Sequence, residues 1–193
     1  MYLVFDCETT GKPINYKAPM QDVDNWPRVA QLAWALFDAD KQLISSACHL
    51  ILPDGWEIPK EQFFIDNGMS TERNMAEGIP IKTVLDQFIE NYNQCNFLIA
   101  HNLTFDYNIV GAEMIRTKVR ANKKLKAICT METTTQFCKL HGGYGGKYKW
   151  PKLEELHHKL FGVKFDNAHD ALGDVKATGR CFFELLEKGI ITL

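Results

Sequence analysis

The stretch Tyr2-Leu3-Val4-Phe5-Asp6-Cys7-Glu8-Thr9-Thr10-Gly11 constrains the fold more than any other part of the chain. Apolar residues run straight into an Asp-x-Glu pair, and a Thr-Thr-Gly turn follows. Residues 3–5 read as a buried central strand. Successive side chains of a strand point to opposite faces, so Asp6 and Glu8 share one face and Cys7 takes the other. The Cα atoms of the two acids stand about 6.5 Å apart, a span that can hold divalent ions between carboxylates. No Lys or Arg lies within the stretch to offset them. Two like charges ending an apolar strand are costly unless a cation or protons balance them.

A length of 193 residues gives such a strand room for a sizeable core, and one domain over 1–193 is the expectation. The net charge of −2 argues against a generally basic protein that coats nucleic acid, so any such contact is local or metal-assisted. The six cysteines form no C-x-x-C pair, which fits reduced thiols in a cytosol better than disulfides or a zinc site. No signal-peptide pattern precedes the first strand, and no apolar run approaches the roughly 20 residues that cross a bilayer. A cytoplasmic protein without a membrane partner is expected.

Residues 12–28, with Pro13, Pro19 and Pro27, read as a loop leaving the Asp-x-Glu strand and bordering its site. Residues 29–37 and 42–52 read as a β-hairpin around Asp38-Ala39-Asp40-Lys41, although the first run also suits a helix. Short helices follow over 60–66 and 71–76, and a longer one over 81–92, where Val84, Leu85, Phe88 and Ile89 make an apolar stripe. Residues 97–100 form a strand ended by His101 and Asn102. A helix begins near Phe105, with Thr104 as its cap and Ile109, Ala112 and Ile115 on one side. A strand over 126–131, a helix over 133–140, a glycine-rich loop over 142–146 and a helix over 153–161 come next. The last helix spans about 170–187 and buries Ala171, Val175, Thr178, Phe182 and Leu185. The alternation of strands and helices predicts an α/β fold, a mixed sheet with helices on its faces.

Further acids stand apart in the sequence. Asp106 lies in the first turn of its helix, where an acid is favourable for electrostatic reasons alone. Asp174 lies on or beside the buried stripe of the last helix, so it is either a hydrogen-bonded core acid or a metal ligand. His169 precedes that helix. It reads as a structural residue or, with an ordinary pKa near 6.5, as a general base.

Taken together, Phe5-Asp6-Cys7-Glu8-Thr9-Thr10-Gly11, His101-Asn102-Leu103-Thr104-Phe105-Asp106 and Ala168-His169-Asp170-Ala171-Leu172-Gly173-Asp174 form an ordered set. In these motifs the chain resembles the DnaQ-like 3′→5′ exonucleases of the DEDD superfamily, in the branch that uses histidine. It is similar in this to the epsilon proofreading subunit of bacterial DNA polymerase III. The resemblance spans nearly the whole chain, and Trp150-Pro151-Lys152-Leu153 and Gly162 also match the approach to the third motif. The longer stretch 12–28 departs from the family's pattern.

The resemblance implies a ribonuclease H-like α/β fold in which Asp6, Glu8, Asp106 and Asp174 bind two divalent metals, Mg²⁺ or also Mn²⁺. All-oxygen donors favour such hard ions over zinc. It implies His169 as the base, release of nucleoside 5′-monophosphates from a nucleic-acid 3′ end, DNA ahead of RNA, and a DNA polymerase as a possible partner. Thr9 and Thr10 would cradle the terminal nucleotide, Phe105 would lie near the last bases, and His101 and Asn102 would orient a phosphate or a ligand. Each also has a plain reading, as turn, core or strand end. The basic residues Arg116, Lys118, Arg120, Lys123, Lys124 and Lys126 read as a solvated helix end or as phosphate contacts, and the 144–150 segment as a loop or a single-strand guide. Two rivals remain. One is an exoribonuclease on short RNA. The other is a non-catalytic nucleic-acid or polymerase-binding module, against which the complete set of acids and His169 speaks.

Overall fold

The computed structural model describes residues 1–143, 147–165 and 171–193. Strands β1 (Tyr2–Thr9), β2 (Val29–Phe37), β3 (Leu43–Leu50), β4 (Phe97–Ala100) and β5 (Lys126–Cys129) form one mixed sheet in the order β3-β2-β1-β4-β5. β1, β2 and β3 pair antiparallel, while β1, β4 and β5 pair parallel. The hairpin turn between β2 and β3 places Lys41 in the left-handed region. β1 is therefore central, and residues 2–5 are buried on both faces, which is why this strand reads as an unbroken apolar run.

Alternation along β1 divides the core in two. Leu3, Phe5 and Cys7 pack with α3 (Ile81–Tyr92) and α4 (Leu103–Thr117) on one face. Tyr2 and Val4 pack with α7 (Leu153–Phe161) and α8 (Ala171–Glu187) on the other. The stripe Ala171, Val175, Thr178, Phe182 and Leu185 is buried in full. α8 lies close to the sheet because Gly179 carries no side chain: a Cβ there would stand 3.3 Å from the Phe37 ring and 3.7 Å from Val4. α1 (Gln62–Asp66) and α2 (Thr71–Glu77) cover the far end of the hairpin. Buried Asn74 of α2 donates from Nδ2 to the carbonyls of Ala30 and Ile51.

Local expectations are corrected at several points. The cap of α4 is Asn102, not Thr104; Asn102 takes a left-handed conformation (φ 71°), which Asn tolerates, and Thr104 is exposed. Ile109 and Ala112 are buried as expected, but Ile115 faces solvent; the buried face runs instead through Glu113, one turn on from Ile109. The strand expected over 126–131 stops at Cys129, where α5 (Thr130–Thr133) begins. The helix expected over 133–140 is split between α5 and α6 (Thr135–Cys138). There the hydroxyls of Thr133, Thr134 and Thr135 donate back to the carbonyls of Cys129, Thr130 and Met131, a local bonding that weakens a regular helix. Residues 144–146 of the glycine-rich loop lie outside the described residues. All six cysteines are free thiols. Among the described residues no helix is long and apolar enough to cross a membrane.

Candidate active site

Acids that are distant in sequence meet at the end of β1. Asp6 and Glu8 lie on the α8 side of the sheet, and Asp174 lies in the first turn of α8. One carboxylate oxygen from each comes within 4.8 Å of the others, and all three residues are half-buried. Strand alternation places the first pair, and the close seating of α8 delivers the third. Gln31 fixes the start of that helix. It is the cross-strand neighbour of Glu8, and its Oε1 accepts the N–H of Ala171 at 3.2 Å. This satisfies one of the amides a helix leaves unpaired at its N-terminus and ties α8 to β2. The only sequence signal for Gln31 is a polar residue inside the run Val29-Ala30-Gln31-Leu32-Ala33-Trp34.

Asp106 is set apart from this trio. β1 outruns β4, whose pairing with it stops at Val4. Beyond that point Asp106 Oδ1 accepts the Cys7 N–H at 3.1 Å and the Cys7 Sγ–H at 3.2 Å. The carboxyl is 3 % exposed. Burial pushes its pKa up to about 7; the Cys7 hydrogen bonds oppose this, and the charge of Asp174 adds to it. Burial likewise pushes the Cys7 thiol well above its ordinary range, so Cys7 is a donor here and not a nucleophile. The Cys7 contact was not foreseen from sequence.

This burial gives a pH dependence of definite sign. A carboxyl whose folded pKa exceeds its unfolded value of about 4 stabilises the fold fully below pH 4 and loses that contribution as pH rises to about 7. Asp106→Asn keeps an acceptor for Cys7 but cannot ionise. In EDTA the variant is expected to gain on wild type from pH 4 to pH 7, by about 2–4 kcal/mol, and to hold that lead above pH 7. Urea denaturation across this range measures it. A lead that shrinks as pH rises would show that the carboxyl is not charged in a buried setting.

The other sequence-predicted residues have plainer surroundings. Thr9 donates its hydroxyl to the Gly11 carbonyl, and the Thr10 hydroxyl accepts the Arg28 N–H while Thr10 N–H donates to the Arg28 carbonyl. Thr9 thus closes a local turn, and Thr10 closes the neck of the 12–28 loop. That loop is held to α4 by Glu113, which is 1 % exposed. Glu113 takes a two-pronged pair from Arg28, at 2.7 and 3.2 Å, and the Val29 N–H at 3.2 Å. Arg116 Nη1 stands 3.1 Å from Glu113 Oε1, an ion pair without hydrogen-bond geometry. Its Nη2 donates to the carbonyls of Val23 and Trp26, so Arg116 anchors the loop instead of facing solvent with the basic run.

His101 turns inward. Its Nε2 lies 3.0 Å from the Pro151 carbonyl, which can only accept, so Nε2 carries the proton and Nδ1 accepts from Thr130 Oγ1 at 3.0 Å. Burial pushes its pKa down to about 4, leaving a neutral imidazole near neutrality. Asn102 caps α4 by its backbone position and borders a cleft with half-buried Phe105. His169 and the start of the third motif lie outside the described residues.

The donor set at the end of β1 is all oxygen, three acids crowded on one half-buried edge with a fourth beside it whose own proton affinity is raised. Such a set fits a hard divalent cation, which would offset the mutual repulsion, and does not suit zinc.

Known proteins bear on this geometry. A relative named 3′-5′ exonuclease DinG, from Staphylococcus aureus (strain USA300), is 27% identical over 188 residues, 97% of this chain. The chain spans only 18% of that protein's length. The structure of E. coli Exonuclease I in complex with a dT13 oligonucleotide superimposes with a TM-score of 0.71 at 19% identity, over 96% of this chain and 40% of that one. The nuclease domain of 3′hExo, described as a DEDDh family member bound to rAMP, gives a TM-score of 0.68 at 16% identity, over 98% of this chain and 92% of that one. At such identities the structural likeness establishes the fold, a mixed sheet of the exonuclease, ribonuclease H-like kind with flanking helices. The family model described as Exonuclease (RNase_T) matches residues 3–182. One family pattern thus runs from the strand that carries Asp6 and Glu8 into the helix that carries Asp174, and this chain belongs to that exonuclease family.

Proposed function

We propose that this chain is a metal-dependent 3′→5′ exonuclease that removes the terminal nucleotide from single-stranded or frayed DNA ends as a nucleoside 5′-monophosphate. The observation that carries the reading is the convergence of Asp6, Glu8 and Asp174 within 4.8 Å at the end of β1. Asp6, Glu8 and Asp174, with Asp106 alongside, would hold two divalent ions, Mg²⁺ first and Mn²⁺ as the substitute. Bound there, the ions supply charge neutralisation and Lewis acidity for in-line attack on a phosphodiester. His169, assigned from its motif, takes the proton of the attacking water. The water oxygen bonds to phosphorus as the bond to the 3′ oxygen breaks, and that oxygen takes a proton from solvent and leaves as a hydroxyl. In this reading residues 1–193 act as one exonuclease domain, because both cores share a single sheet. A DNA polymerase that hands over frayed ends is its proposed partner; failure to co-elute with one in gel filtration would remove that part.

The test follows a 5′-labelled oligonucleotide with purified protein and Mg²⁺. Stepwise shortening from the 3′ end, stopped by EDTA, is expected. Faster loss of short RNA than of matched DNA would move the substrate to RNA, and no shortening of either would reject the reading. His169→Ala is expected to slow the reaction about 10²–10⁴-fold and to flatten its pH profile near neutrality while metal binding persists. An unchanged profile would take His169 out of the base role.

A further inference from the structure

The face of β1 opposite Asp6 and Glu8 carries Phe5, and a pocket of about 310 Å³ opens over it between α3 and α4. Phe88 and Ile89 of α3 and Val110 and Met114 of α4 form its walls. Its volume lies at the small end of ligand pockets, which suits a single bulky group. Gly111 opens the notch: a Cβ there would stand 2.7 Å from Met20 Sδ, so Met20 of the 12–28 loop takes the space that a side chain of α4 would otherwise fill. Met20 and Met114 are flexible and unbranched, so these walls adapt to what enters. The mouth stays open to solvent, with Tyr107 36% and Ile115 41% exposed.

The lip of this pocket is cationic. Val119, Arg120 and Ala121, which follow α4, belong to the lining. The Asn122 N–H donates to Asn93 Oδ1 and the Leu125 N–H to the Tyr92 hydroxyl, both at 3.3 Å, and these bonds lay the segment along the end of α3. Lys118, Arg120, Lys123 and Lys124 are exposed on it. Among the described residues none of these four makes an ion pair. Residues 114–131 contain no acid at all, whereas surfaces ordinarily intersperse both signs.

An apolar pocket beside unpaired cations calls for an occupant that is apolar at one point and anionic around it. A nucleic-acid strand brings the charge, but its bases carry hydrogen-bonding edges that Phe5, Phe88, Ile89, Leu98 and Val110 cannot satisfy. An acidic peptide brings both parts: one apolar side chain for the pocket and carboxylates for the lip. We propose that this surface docks an acidic segment of a partner protein, anchored by a Phe, Leu or Ile between α3 and α4, with its carboxylates against Arg120 and the neighbouring lysines. Phe5 and Asp6 point to opposite faces of β1, so the docked segment does not occupy the acidic edge.

The test titrates the full chain, by fluorescence anisotropy, into short labelled peptides rich in Asp and Glu that each hold a single Phe, Leu or Ile. In one control Ser replaces that residue; in another Asn and Gln replace the acids. Loss of the anchor is expected to weaken binding at least about 10-fold, the scale set by burying such a side chain. Arg120→Glu combined with Lys124→Glu is expected to weaken it at least about 5-fold and to flatten its salt dependence. Ala121→Trp, at the mouth, is expected to block binding, and the methyl signals of Met20 and Met114 are expected to move when wild type binds. Shortening of an oligonucleotide by these variants is expected to match wild type. Absence of anchor-dependent binding for every peptide overturns the surface, as does equal binding of the Ser control. If the double charge reversal raises KM for the oligonucleotide and no peptide binds, the cations serve a nucleic-acid path and the docking surface falls. The double reversal changes exposed side chains only, so it decides the matter even if circular dichroism shows that Ala121→Trp misfolds.

Discussion

In Asp6→Ala, 3′-end shortening is expected to fall about a thousandfold, equivalent to about 4 kcal/mol of lost transition-state stabilisation, while the fold persists. Asp6 sits in the three-acid group and on the strand that also faces Asp106 through Cys7, so its loss weakens the holding of both proposed ions. The side chain is half-buried and contributes nothing to either apolar core, and removing one of several crowded carboxylates relieves repulsion in the metal-free protein. Initial rates with Mg²⁺ and a thermal melt in EDTA measure the two halves of this expectation. A rate equal to that of wild type would reject the acidic edge as the reaction site. A collapsed melt would show that Asp6 holds structure instead.

Glu113→Ala carries the largest expected cost in stability, about 3–5 kcal/mol. The carboxylate is buried and serves Arg28, Arg116 and the Val29 N–H at once. Truncation leaves a buried amide and two partly buried guanidinium groups without their counter-charge, and removing one member of such a pair costs far more than the pair contributes. The effect is also local. The 12–28 loop is held to α4 by this network and by the Arg116 bonds to Val23 and Trp26, so it should become the first site of proteolytic cleavage. Urea unfolding and limited proteolysis measure the two effects. A loss below about 1 kcal/mol with an unchanged cleavage pattern would show that water replaces the carboxylate at little cost.

Much of the frame was legible in the chain because it follows from short periods. The β2 run Val29–Phe37, the α3 run Ile81–Tyr92, β4 at Phe97–Ala100 and α7 at Leu153–Phe161 appear where apolar spacing put them. Errors fell where side chains bond to backbone or to one another. The threonines after Cys129 break the helix expected over 133–140, and α4 buries the acid Glu113 beside Ile109 while Ile115 is exposed. At the candidate site, residue type and order pointed to Asp6, Glu8, Asp106 and Asp174, but not to Gln31 or to the thiol of Cys7, since neither belongs to a recognisable motif.

Sequence alone determined that Asp6 and Glu8 share a face, because side-chain direction on a strand is set by its own two-residue period. It also determined that Asp174 rides a helix with one buried stripe. Tertiary structure decided which groups these side chains meet. It brings Asp174 to the β1 acids, sets Asp106 against the amide of a residue 99 positions away, turns His101 inward to Pro151, and assigns Arg116 to loop carbonyls. Spacing fixes a direction about one element's own axis, whereas the partner found along that direction depends on how separate elements pack.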